Sequence, residues 1–192
     1  MAGRLDEIVV VDLEATCWED SPIENDRSEI IQIGICTLSV RALTVSEPCS
    51  ILVRPVHSEV STLCTNLTGI RPEDAARGVS LARACAQLER EFSTRTRTWA
   101  SFGDYDRRLF ERQCSRDSVE NPFGPTHINV KNLAAVMLGL DEELSFPKTM
   151  RAAGLVQRGL AHRADVDAWN TSLLLGALLR RTRVEAETHD SR

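Results

Sequence analysis

The chain has 192 residues, of which 42% are hydrophobic and 27% charged, and its formal net charge is −5. That balance suits one globular domain with a substantial core and excludes a disordered polyelectrolyte; no apolar run approaches the roughly 20 residues of a membrane-spanning helix. The acidic total also excludes a protein that holds nucleic acid through a broadly basic surface, although a cluster of cation-binding carboxylates would bias the count.

Met1 to Glu7 is polar and has no signal-peptide h-region. The six cysteines (Cys17, Cys36, Cys49, Cys64, Cys85, Cys114) form no C-x-x-C pair. They read as reduced thiols in or near a core, neither a disulfide frame nor a zinc site, so a cytoplasmic location is expected. Ile8 to Val11 are β-branched, which predicts a buried strand over about 8–13. Asp12 and Glu14 lie two apart at its end and should project to one side. Two carboxylates held so close repel each other and lose hydration unless a cation joins them; oxygen-only ligands suit Mg²⁺ or Mn²⁺. The ordinary alternative is a strand running out into a solvated acidic loop.

A second strand is predicted over about 29–40, with Ile31, Ile33 and Ile35 on one face and Gln32 and Gly34 on the other. A third follows over about 43–54, and the short polar link between the two favours an antiparallel meander. A helical region comes next, broken at Thr68-Gly69-Ile70-Arg71-Pro72. Residues 80–92 then place Leu81, Ala84, Cys85 and Leu88 at helical spacing behind Ser80 as N-cap. Thr98 to Phe102 reads as a buried fourth strand, followed by G-D-Y-D and a helix over about 106–115. Pro122, Gly124 and Pro125 make 117–128 a loop. Helices are predicted over about 130–139, 147–154 and 163–180, with 181–192 as a polar tail. The sum is an α/β domain over 1–180, a mixed sheet flanked by helices. From Arg71 to Arg116 there are ten arginines against seven acids, a surplus of three that suggests either a phosphate-facing side or a solvated helix surface.

Three acidic sites recur at element ends: Asp12 with Glu14, Asp104 with Asp106, and His162 followed by Asp165 and Asp167. Singly, each has a plain explanation, because Asp104 or Asp106 suits a helix N-cap and Asp165 and Asp167 suit the positive end of a helix dipole. Together, four carboxylates and a histidine suit one reaction. In-line displacement at a phosphodiester can use two cations about 3.5–4 Å apart. A histidine, with an unperturbed pKa of about 6.5, can take the proton of an attacking water.

The runs D-L-E-A-T-C, L-T-G-I, G-D-Y-D with L-F-E-R-Q-C, and H-R-A-D-V-D resemble the successive motifs of DEDDh 3′-5′ exonucleases. Within that superfamily the A-T-C resembles the Eri-type (3′ histone mRNA exonuclease-like) exoribonucleases, and the resemblance runs from about residue 6 to about 180. It implies a ribonuclease-H-like fold, two Mg²⁺ or Mn²⁺ ions, and hydrolysis from a 3′ end releasing 5′-mononucleotides. Asp12, Glu14, Asp106 and Asp167 match the family's metal-binding acids, and His162 its general base. Asp106 is preferred to Asp104 because the family's acid follows an aromatic, and Asp167 to Asp165 by its spacing from the histidine. The spacing of the residues alone leaves both choices open. Ala15, Thr16 and Cys17 match the turn that approaches the terminal nucleotide, Leu63 and Leu67 the positions that contact or wedge beside its base, and Tyr105 an aromatic near it. Core packing is the alternative for the two leucines.

Two departures stand out. Leu63 replaces a frequent phenylalanine, which weakens stacking there, and the last motif reads A-D-V-D where two adjacent acids are common. No basic tail accompanies the motifs, so weak, distributive binding of single-stranded or short 3′ ends is expected. RNA is favoured over DNA on the A-T-C resemblance. The same chemistry on DNA ends, or a catalytically silent nucleic-acid-binding protein of the same fold, are the alternatives. No membrane partner is expected, and a protein partner is left open.

Overall fold

The computed structural model describes residues 4–19 and 27–190, with side chains described as far as Arg183. Five strands form one mixed sheet in the order β3-β2-β1-β4-β5. β1 (Arg4–Ala15) pairs antiparallel with β2 (Ile30–Ser39), which pairs antiparallel with β3 (Cys49–Leu52), so the predicted meander is present. On its other side β1 runs parallel to β4 (Arg97–Ser101), and β4 runs parallel to β5 (His127–Asn129). The helices are α1 (Thr62–Thr68), α2 (Pro72–Ala76), α3 (Leu81–Phe92), α4 (Tyr105–Arg116), α5 (Val130–Met137), α6 (Phe146–Ala152) and α7 (Ala164–Asp190).

Strand alternation decides which layer each side chain joins. Val9, Val11 and Leu13 face a core with Leu88 of α3 and Leu109 and Phe110 of α4. Ile8 and Val10 face the opposite layer, where Val130 of α5, Met150 of α6 and Leu174 and Leu178 of α7 close over the sheet. A third cluster under α1 and α2 joins Ile31, Cys64, Ile70 and Ala75. Because β1 and β4 are parallel neighbours, their C-terminal ends open at the same edge of the sheet.

Several boundaries differ from the expected ones. β3 is only four residues long; Leu43 sits in a left-handed turn, and Val45 makes a single bridge to Leu38 before Pro48. β5 falls where a loop was expected, because three residues after Pro125 carry no periodic signal. α7 does not stop at 180 but continues to Asp190; the Arg181 side chain donates to the Ala153 carbonyl at 3.0 Å and Arg183 to that of Arg41 at 2.9 Å. All six cysteines are free, four of them buried. Among the described residues no helix is long and apolar enough to cross a membrane. Within the arginine-rich segment Arg71, Arg90 and Arg107 pair with its own carboxylates, whereas Arg95, Arg97 and Arg116 reach Glu120, Glu7 and Glu29 outside it.

Candidate active site

The alternation that buries Ile8 and Val10 carries on through Asp12 and Glu14, placing both carboxylates on the face that α7 covers. α7 begins directly over them. The N–H of Ala164 donates to Gln32 Oε1 at 3.1 Å, and the same side chain donates to Ser50 Oγ at 2.8 Å. Gln32 and Gly34 stand opposite Glu14 and Asp12 in the ladder. A β-carbon on Gly34 would collide with the backbone of Ala164 and Asp165. Glycine therefore lets the helix come close enough for Asp167, in its first turn, to reach the strand carboxylates. One oxygen each of Asp12, Glu14 and Asp167 lies within 4.8 Å of the others.

Asp106 enters from the parallel neighbour. It sits in the first turn of α4, buried, and its Oδ1 accepts the Leu13 N–H at 3.0 Å, which ties α4 to the tip of β1. Asp12, Glu14, Asp106, His162 and Asp167 line one cavity of about 480 Å³. His162 adopts a left-handed conformation (φ 60°), and its N–H donates to Asp167 Oδ2 at 2.8 Å. Gln157 donates to the other oxygen of Asp167 at 3.3 Å. The histidine thus holds the acid with its backbone N–H and itself lines the same cavity.

The electrostatics are those of a cation site with its charge uncompensated. Burial, reinforced by Asp106, Glu14 and Asp167, pushes Asp12 well above the usual carboxylate range. Burial together with Asp167 and Asp106 raises Glu14 to about 8. Asp106 rises to about 7 through burial, against the pull of its own and Leu13's N–H and the Ser101 hydroxyl; burial also raises Asp167. Carboxylates that share a site cannot all ionise without a compensating charge. An all-oxygen donor set of this density fits hard divalent cations.

The two rejected acids lie outside the cavity lining. Asp104 precedes α4 and pairs with Arg107 at 3.2 Å, and Asp165 lies 3.6 Å from Arg163 Nε. Of the expected substrate contacts, Ala15, Cys17, Leu63, Leu67 and Tyr105 line the cavity, and Leu67 is 44% exposed. Thr16 does not. It is fully buried, its hydroxyl accepting the Glu29 N–H at 2.9 Å and meeting Ser58 Oγ at 2.9 Å. The register shift between Glu14 and Ala15, at the end of β1, breaks the strand alternation, so Thr16 does not follow Glu14 to the cavity face.

Thr16 belongs to a buried latch absent from the sequence expectations. The fully buried Glu29 carboxylate accepts from Val56 N (3.0 Å), His57 N (2.8 Å), Ser58 Oγ (2.7 Å) and Arg116 (3.1 Å). Ser61 Oγ donates to the Cys17 carbonyl at 2.6 Å and caps α1 by accepting the Cys64 N–H at 3.0 Å. The turn after β1 and the helix carrying Leu63 and Leu67 are therefore one unit. The available signal was an acid directly ahead of an isoleucine run, which reads as an exposed strand end. Trp18, Phe102 and Phe146 also line the cavity; from the sequence Phe102 is expected in the fourth strand, and Trp18 and Phe146 have no assigned role.

The exonuclease family model RNase_T matches residues 9–175. The chain belongs to this exonuclease family. The 3′-5′ exonuclease Snipper of Drosophila melanogaster is 25% identical over 195 residues, spanning 90% of this chain and 69% of the fly protein. The 3′-5′ exoribonuclease 1 of Rattus norvegicus is 37% identical over 73 residues, 38% of this chain and only 21% of the rat protein's length. Among solved structures, the nuclease domain of 3′hExo, a DEDDh family member bound to rAMP, superposes with a TM-score of 0.79 at 22% identity over 92% of each chain. The shared fold is ribonuclease-H-like, as the motif resemblance implies, and its mixed sheet is the one expected from the order of the elements.

Proposed function

We propose that this exonuclease removes 5′-mononucleotides one at a time from the 3′ ends of single-stranded or short RNA, using two Mg²⁺ or Mn²⁺ ions. The single observation that carries the reading is the convergence of Asp12 and Glu14 of β1 with Asp167 of α7, with Asp106 and His162 in the same cavity. The four carboxylates would hold the ions, which when bound stabilise charge on the attacking and leaving oxygens of the phosphodiester. His162 takes the proton of the attacking water. The bond from phosphorus to the upstream 3′ oxygen breaks, and that oxygen leaves as a hydroxyl after protonation. The Asp167 contact to the His162 N–H fixes the loop that carries the base. Leu67 and Tyr105 contact the terminal base through apolar surface, which accepts every nucleobase.

RNA as substrate is supported by the A-T-C turn and by the exoribonuclease relatives. The test compares uniformly labelled RNA and DNA strands of one sequence with Mg²⁺ or Mn²⁺. Faster loss of RNA as 5′-mononucleotides, abolished by Asp12→Ala, is expected. Faster loss of DNA overturns the RNA assignment, and equal traces in wild type and Asp12→Ala overturn the nuclease reading.

A further inference from the structure

The cavity has two apolar walls, and the reading above uses one. Leu63 and Leu67 of α1, with Cys17, Trp18 and Tyr105, form the first. Phe102, just past the end of β4, and Phe146 and Pro147, the first residues of α6, form the second. The walls rise from separate packing layers. Cys17 and α1 belong to the cluster around Ile31 and Cys64, whereas Phe102 and Phe146 pack on the layer of Val10, Ala100 and Met150. The two phenylalanine rings meet edge to face, with centroids 4.8 Å apart. Such a pair occupies one face of one ring and leaves other faces available. Both rings are only partly buried although large aromatic side chains favour full burial.

The chemistry requires a second wall. Release of a 5′-mononucleotide breaks the bond to the 3′ oxygen of the upstream nucleotide, so the scissile phosphate joins two nucleosides that leave it in different directions. A phosphate on the carboxylate cluster with its terminal base on the Leu67 side carries the upstream nucleoside away from that side. Among the described residues no lysine or arginine lines the cavity to hold this second nucleoside by charge. Stacking on an aromatic is the remaining source of affinity, and it tolerates any base.

We infer that the Phe102–Phe146 pair is the platform for the base immediately upstream of the scissile phosphate. The inference rests on the exonuclease reading and adds a second base subsite to it. Its consequence is a substrate rule: the enzyme reads two bases at the 3′ end, and loss of the second slows removal of the first.

The test measures removal of the 3′-terminal nucleotide, with Mn²⁺, from single strands of one length. The strands are intact, or carry one abasic nucleotide at the terminal or the next-to-terminal position. Wild type is expected to show a kcat/KM about 5- to 100-fold higher on the intact strand than on the strand abasic next to the end. Phe146→Ala and Phe146→Leu should bring that ratio close to one, and Phe146→Trp should restore it. Phe146→Leu approximates the packing volume without the ring, so a folded variant is available if the alanine variant melts early. The platform alone is overturned if the ratio survives in Phe146→Leu, or if that variant loses its sensitivity to the terminal base instead. Wild type that degrades none of the strands overturns the exonuclease reading and the platform with it.

Discussion

Replacing Glu14 by glutamine should stabilise the metal-free protein while destroying its capacity for metal. Glu14 is 8% exposed, and burial with Asp167 and Asp106 moves its carboxyl from 4.5 to about 8. The folded-state value lies above the unfolded one, so ionisation works against folding. The penalty is absent below about pH 4.5, grows by about 1.4 kcal/mol per pH unit, and levels off above about pH 8. At pH 8 it reaches roughly 4 kcal/mol. The buried amide needs partners of its own, which at about 1–3 kcal/mol takes back part of this. Glu14→Gln should thus gain about 1–3 kcal/mol at pH 8 in EDTA and lose up to about 2 kcal/mol at pH 5, where the penalty it relieves is below about 1 kcal/mol. Denaturant titration at both pH values measures it. Saturating Mn²⁺ at pH 8 should reverse the order, because a ligand that binds only the folded state stabilises the wild type by mass action. A gain of the same size at pH 5 and pH 8, or equal Mn²⁺ stabilisation of both proteins, would refute the reasoning.

Gly34→Ala should drive the start of α7 off the sheet, since its β-carbon meets the Ala164 and Asp165 backbone. A loss of about 1–3 kcal/mol in denaturation and a weaker Mn²⁺-induced shift in melting temperature are expected. His162→Ala should lower kcat by about 10²–10⁴-fold while keeping the Mn²⁺-induced shift, read by single-turnover kinetics and thermal melts. Asp106→Asn should abolish turnover, whereas Asp104→Asn should retain most of it, because Asp104 pairs with Arg107 outside the cavity. Glu29→Gln weakens the buried acceptor of Val56, His57, Ser58 and Arg116, while Arg116 keeps Asp117 at 2.8 Å, and should cost about 1–3 kcal/mol in denaturation. Because the latch joins the two segments of the terminal-base wall, KM should rise more than kcat falls in that variant.

Local periodicity makes much of this protein legible in its sequence. The alternation of Ile8, Val10, Asp12 and Glu14 predicts both a buried strand and two carboxylates on one side of it, because a strand's period of two is a property of the backbone alone. Ser80 is the N-cap expected of it, accepting the Arg83 N–H. The meander of the first three strands follows from short polar links for the same local reason. β5 escaped because three residues are too few to show a period. The choice of Asp106 over Asp104 needed family resemblance, since either acid suits a helix start.

Other features depend on groups distant in the chain and have no signature in spacing. Thr16 and Glu29 are thirteen residues apart, and the carboxylate of Glu29 reaches Arg116 eighty-seven residues on. Gly34 reads as a weak point in a strand until α7 is laid across it. Phe102 and Phe146 share a wall only because β4 and α6 pack into the same layer. Periodicity and motif thus establish which residues carry charge and which face they take. How near those faces come to one another follows from the close packing of helices on the sheet, where a single missing β-carbon sets the distance between Asp167 and its partners.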